Sequence, residues 1–178
     1  MSQSTPSKMN IALKWGMIGL MISIIQSMGF YLLDFDNQMV SFLCAIAILS
    51  IVSVMAINAY KDENGGFASF GQGFTTSFFT MLVLAVAGFA WTYLFFEVIA
   101  PEARQEIIDN EVVKMQARGL DDDQIEKALV DFKFFFSTIW FCTIGVVVNI
   151  VVGTIISLIT GAILKEENPN PGLDQFKI

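Results

Sequence analysis

The 178-residue chain contains no histidine, two cysteines and four prolines, and only 15% of its residues are charged. The absence of histidine removes the usual general base near neutral pH, the commonest metal ligand and every histidine-containing triad. Two cysteines, Cys44 and Cys142, cannot complete a zinc site alone. They are expected to be small, soft core residues, with a disulfide as the alternative. Basic residues are few: 10 Lys+Arg stand against 17 Asp+Glu. That balance excludes a nucleic-acid partner and gives no attraction to anionic lipid surfaces. No Gly-x-x-x-x-Gly-Lys-Ser/Thr string is present, so a nucleotide phosphate loop is not supported. No cofactor and no metal are expected, and the chain is not expected to be an enzyme.

What fills the chain instead is apolar residues, 54% of it, with a mean hydropathy of +0.63. Four stretches hold no charge at all: 15–33, 37–60, 64–96 and 134–164. Each is long enough to cross a hydrocarbon core of roughly 30 Å at about 1.5 Å per helical residue. The expected fold is an all-α membrane protein with four transmembrane helices, at about 11–33, 39–59, 74–97 and 136–164. Residues 1–10 and 166–178 are expected to be disordered tails. The first apolar stretch is longer than a signal-peptide core, and no small-x-small cleavage site follows it, so a cleaved leader is not expected.

Residues 98–133 form the one sizeable polar segment. Pro101 is placed to start a helix, Gly119 to end it, and Asp121 with Gln124 to cap the next. Ile125, Ala128, Leu129, Phe132 and Phe136 then make an apolar stripe at helical spacing. The pattern predicts an extramembrane helical hairpin between spans three and four. Asp121-Asp122-Asp123 lacks the spacing of a calcium loop and suits a helix N-terminus. Lys8, Lys14 and Lys165 flank the spans on the terminal side, which favours cytoplasmic termini and an outer hairpin. Arg104, Lys114, Arg118, Lys127 and Lys133 within the hairpin weigh against that orientation.

Small and polar residues mark where helices should touch. Gly16, Gly19, Ser23 and Ser27 share a face of span one. Gly145, Asn149, Gly153, Ser157 and Gly161 recur every four residues in span four and predict a packing face, against this chain or a second copy. Gln26 and Asn149 are intramembrane amides, which must find a partner helix or water. Glu97 closes span three and is expected to be a solvated helix-end carboxylate, with a pocket acid or ion ligand as the alternative.

The most distinctive string runs from Tyr60 through Lys61-Asp62-Glu63-Asn64-Gly65-Gly66-Phe67-Ala68-Ser69-Phe70-Gly71-Gln72-Gly73 to Phe74. Asn64-Gly65-Gly66 predicts a turn with positive φ, and the phenylalanines at 67, 70 and 74 suit an interfacial helical entry. Asn64, Gly65, Gly66, Phe67, Ser69, Phe70, Gly71 and Gln72 form a candidate cytoplasmic recognition motif.

This string resembles the Tyr-Lys/Arg-Asp…Asn-Gly-Gly-x-Ile/Ala-Ser-Phe-Gly-Gln-x-Phe signature of domain-of-unknown-function family 4199. Ala100-Pro101-Glu102, Leu120 to Glu126 and Gly161 to Lys165 agree with three further regions of that family. The resemblance covers about 10–166. It departs at Gly73, where alanine is expected, and at Asp121, where serine or threonine is usual. It implies a four-span protein of the bacterial inner membrane and implies no activity. Missing catalytic groups, small-residue helix faces and exposed loops point to a non-enzymatic accessory, scaffold or assembly component. Its expected partners are the lipid bilayer and another membrane protein or itself. The alternative is a small transporter or lipid-handling protein with a path near Gln26 and Asn149.

Overall fold

The computed structural model describes residues 6–35, 37–135 and 137–169, without the side chains of Asp131, Phe132 and Phe135. Of the expected tails, 1–10 and 166–178, residues 1–5 and 170–178 lie outside the described residues, as do Asp36, Phe136 and the Phe132 side chain of the expected stripe; residues 8–10 are helical and Glu166 is bridged to Ala68. Among the described residues six α-helices follow in order: α1 (Lys8–Leu32), α2 (Gln38–Glu63), α3 (Phe70–Leu94), α4 (Pro101–Ala117), α5 (Asp122–Phe135) and α6 (Thr138–Ile163). A π-helical turn, Phe95–Ile99, prolongs α3. Four helices are long and apolar enough to cross a membrane: Lys8–Leu32, Gln38–Glu63, Phe70–Ile99 and Thr138–Ile163. This is an all-α, multi-pass membrane protein. Within the sheet-free described region, a single antiparallel bridge joins Ala68 to Glu166.

The helix ends follow from their terminal residues. Ser7 caps α1 by accepting the Asn10 N–H, so α1 begins before the expected start at 11. Asn37 caps α2 through Val40 N–H at 3.1 Å. Asp121 and Gln124 form the expected reciprocal cap: Gln124 N–H donates to Asp121 Oδ1 at 2.8 Å, and Asp121 N–H to Gln124 Oε1 at 3.1 Å. Three helices close by a similar six-to-one hydrogen bond. Phe35 N–H reaches Phe30 O, Gly66 N–H reaches Lys61 O, and Leu120 N–H reaches Met115 O. The reversing residues Asp34, Gly65 and Gly119 all have positive φ. At the first closure the Phe30 and Phe35 rings also pack in a tilted pair, centroids 4.8 Å apart.

The chain divides into two compact units. One runs to Ala87 and resumes at Asn149; the other is Gly88–Val148. In the first, Leu49, Met81, Leu84 and Ile156 form one buried cluster, and Ile11, Ala56, Tyr60 and Ala68 another. A Cβ at Gly16 would stand 2.7 Å from Val83 Cγ1, and one at Gly19 2.7 Å from Leu84 Cδ1. Span one therefore docks on α2 and α3 through the small residues expected to do so. Ser23 and Ser27, on the same row, turn their hydroxyls back to Gly19 O and Ile24 O of their own helix. Large apolar side chains such as Ile25, Ile51, Val86 and Ile155 stay exposed, as a lipid-facing surface requires. In the second unit, α4 packs on α5 and on the π-helical turn.

Candidate functional site

The 60–74 string builds a braced corner between α2 and α3. Asn64 Nδ2 donates to Phe67 O at 2.8 Å across the Gly65-Gly66 reversal. Ser69 N–H donates to Gln72 Oε1 at 2.8 Å, and Gln72 N–H to Ser69 Oγ at 3.4 Å. This reciprocal cap starts α3. The corner is tied to the segment after α6: Ala68 N–H donates to Glu166 O at 2.9 Å and Glu166 N–H to Ala68 O at 2.8 Å. Lys61 Nζ pairs with Glu166 Oε2 at 2.9 Å. From α1, Lys8 Nζ donates to Thr75 Oγ1 at 2.9 Å and lies 5.9 Å from the centroid of the Tyr60 ring. Ser69 and Gln72 are thus engaged within the corner, whereas Gly71 and Phe70 are exposed, Phe70 by 41%.

Just inside this corner α3 and α6 touch backbone to backbone. A Cβ at Gly161 would stand 3.0 Å from Phe74 N, and one at Gly153 2.9 Å from Met81 Cβ. A Cβ at Gly73 would meet Gly161 Cα at 3.6 Å and Ile57 Cγ2 at 3.7 Å, ordinary contacts. Alanine is therefore compatible with position 73, which explains why that departure is harmless.

Four hydroxyls between α2, α3 and α6 form one directed chain. Ser77 Oγ lies 2.7 Å from Ser157 Oγ and 2.5 Å from Ser53 Oγ, and Ser53 Oγ lies 2.6 Å from Thr160 Oγ1. Thr160 Oγ1 is also 2.8 Å from Ile156 O, which can only accept. Thr160's single proton is committed there, so Ser53 must donate to Thr160. By the same count Ser77 donates to Ser53, and Ser157 to Ser77. The chain leaves α6, crosses α3 and α2 and returns to α6 one turn on. All four hydroxyls are buried, at most 8% exposed. Hydrogen bonds arranged in sequence polarise one another and are strengthened in a low dielectric. Thr76 and Thr80, also buried, bond back to Gln72 O and Thr76 O of their own helix.

The two intramembrane amides are not brought together. Gln26 Nε2 donates to Ser41 O of α2 at 3.3 Å, a bond between neighbouring spans. Asn149 Oδ1 is buried with no hydrogen-bond partner among the described residues. Of the five-residue row, Gly153, Ser157 and Gly161 lie in contact with α3, while a Cβ at Gly145 would meet nothing within 4 Å. Both cysteines are free.

In the second unit, Glu97 of the π-helical turn accepts a hydrogen bond from Thr138 Oγ1, and Arg104 Nη1 donates to that same hydroxyl at 3.2 Å. Glu97 and Arg104 themselves stand 3.8 Å apart. The expected solvated helix-end acid is therefore part of a three-residue cluster.

A family model described as a protein of unknown function (DUF4199) matches residues 14–166. The chain belongs to that family. No curated protein and no solved structure matches the chain. The match to DUF4199 spans the braced corner, the hydroxyl chain and the Glu97 cluster alike. Sequence reasoning missed Ser53, Ser77 and Thr160, because a hydroxyl in an apolar run carries no periodic mark. The available signal was the requirement itself: every polar atom within a span must find a partner.

Proposed function

We propose that this DUF4199 protein is a non-enzymatic accessory or scaffold component of the bacterial inner membrane, with cytoplasmic termini and a charged α4–α5 segment outside the hydrocarbon. The observation that carries the reading is the contrast inside the 60–74 corner. Ser69, Gln72 and Asn64 are bonded within the corner, while Phe70 keeps an exposed aromatic face beside exposed Gly71. A large apolar ring held in place by a rigid turn suits capture by a partner, since little entropy remains to be lost. The recognition element thus narrows to Phe70 and the exposed backbone of Gly65, Gly66 and Gly71. The hydroxyl chain is not a proton relay, because it ends on the Ile156 carbonyl, which has no proton to pass on.

The test is a tagged pull-down from native membranes in mild detergent, read by mass spectrometry. Phe70→Ala should lose the partner at unchanged membrane abundance. Ser69→Ala removes one cap and should lower stability by about 1 kcal/mol while retaining the partner. An unaltered set of proteins on Phe70→Ala, or recovery of the protein alone from the wild type, contradicts the reading.

A further inference from the structure

The charge-free run of span three ends at Glu97, and that of span four opens at 134. Glu97 and Thr138 therefore stand where hydrocarbon gives way to water, the level at which lipid headgroups lie. Exposed Tyr93 and Trp140, residues suited to that boundary, flank them in the chain. The π-helical turn sets the position of Glu97: Ala100 N–H reaches Phe95 O at 2.8 Å, five residues back. Such single turns are frequent at functional sites.

Thr138 is 4% exposed, and its hydroxyl is inserted between two opposite charges. Its one proton goes to the Glu97 carboxylate, and its lone pair receives Arg104 Nη1. The Arg104–Glu97 separation of 3.8 Å is about 1 Å longer than a closed charge-assisted pair. The two side chains remain 44% and 41% exposed. An open, half-exposed pair contributes little to stability. It does present a cation and an anion side by side, each with capacity for another partner.

A ligand that fits must carry the complementary order: an anionic oxygen for the guanidinium and an N–H cation for the carboxylate, a few ångströms apart. In a bilayer, a zwitterionic phospholipid with a primary ammonium has that layout. We propose that Glu97, Thr138 and Arg104 bind the headgroup of such an aminophospholipid, with its phosphate on Arg104 and its ammonium on Glu97. The exposed Leu94 and Ile139, on the hydrocarbon side of Glu97 and Thr138, suit its acyl chains. An anionic phospholipid would set its charge beside Glu97 with nothing to neutralise it. A choline headgroup has no N–H to give the carboxylate. Thr138 is a positioning residue: it holds the pair open. The site rests only on the membrane-spanning fold and not on the accessory role proposed above.

The test is native mass spectrometry of the full chain in mild detergent. It uses phosphatidylethanolamine, phosphatidylcholine and phosphatidylglycerol with identical acyl chains. The wild type should retain the ethanolamine lipid over both others by roughly tenfold, which is about 1.4 kcal/mol. Glu97→Gln should bring the ethanolamine-to-choline ratio to about one. Arg104→Gln should lose both zwitterionic lipids. Thr138→Val should lower the ethanolamine preference by letting the pair close, and Glu111→Gln, on α4, should leave it unchanged. Equal retention of the three lipids by the wild type overturns the proposal, and that measurement requires no variant to fold. An unaltered ratio in Glu97→Gln, or an altered one in Glu111→Gln, overturns it too. Displacement of the lipid by soluble phosphoethanolamine at equal concentration would assign the chemistry to a free ligand and overturn the lipid source.

Discussion

The two units treat their polar groups in opposite ways. In the first, Ser53, Ser77, Ser157 and Thr160 are buried and their protons run in one direction to a backbone carbonyl. In the second, Glu97 and Arg104 are half exposed and held apart by a buried hydroxyl. The glycines differ in the same sense. Gly16, Gly19, Gly153 and Gly161 of the first unit have no room for a Cβ without displacement, although Gly29 and Gly71 there do; in the second unit Gly88 and Gly145 both face open space. Between membrane helices, where lipid and leucine are equally apolar, close approach and hydrogen bonds supply the attraction. The first unit uses both; the second leaves its polar chemistry available.

Substitutions that ignore this contrast should separate the units. The largest effect is expected from Gly153→Leu. A side chain there collides with Met81, already 2.9 Å from the Cβ position. Overpacking of this kind costs about 1–3 kcal/mol, and a fall in thermal stability in detergent would measure it. A smaller effect is expected from the hydroxyl chain. Ser53→Ala leaves Thr160 without its donor and Ser77 without its acceptor. A double-mutant cycle of Ser53→Ala with Thr160→Val should give a coupling of about 0.6–1.7 kcal/mol. The smallest belongs to Gly145→Leu, expected to stay within about 0.5 kcal/mol of wild type. If Gly145→Leu were as damaging as Gly153→Leu, the comparison would fail and the whole small-residue row would be a contact face.

The four spans were legible because hydrophobic length is a one-dimensional property: a charge-free run of the right extent has few other homes. Helix ends were legible wherever their chemistry is local. Asp121 with Gln124, Gly119 and the Gly65-Gly66 reversal each act within six residues, and each takes the form its sequence predicts. The pairing of distant residues was not legible. Ser53 and Thr160 are 107 residues apart, and Glu97 and Thr138 are 41 apart, so neither contact leaves a mark on either segment alone. The same limit hid the tie between Ala68 and Glu166, which turns an apparent interfacial entry into a corner fixed to the end of span four. The π-helical turn at 95–99 was hidden for another reason: Phe95-Phe96-Glu97-Val98-Ile99 has no residue that forces it, and Pro101 was the only visible breaker.

The four hydroxyls between α2, α3 and α6 are engaged with one another and closed off from water. The most direct measurement places a cysteine at the head of the hydroxyl chain. Ser157→Cys, made in a Cys44→Ala, Cys142→Ala background and reconstituted in vesicles, is treated with a water-soluble thiol reagent from either side. The closed interior predicts no labelling from either side while the vesicles are intact, and labelling after denaturation. Labelling of Cys at 157 in intact vesicles would reveal a water path to the centre of the protein and contradict the account.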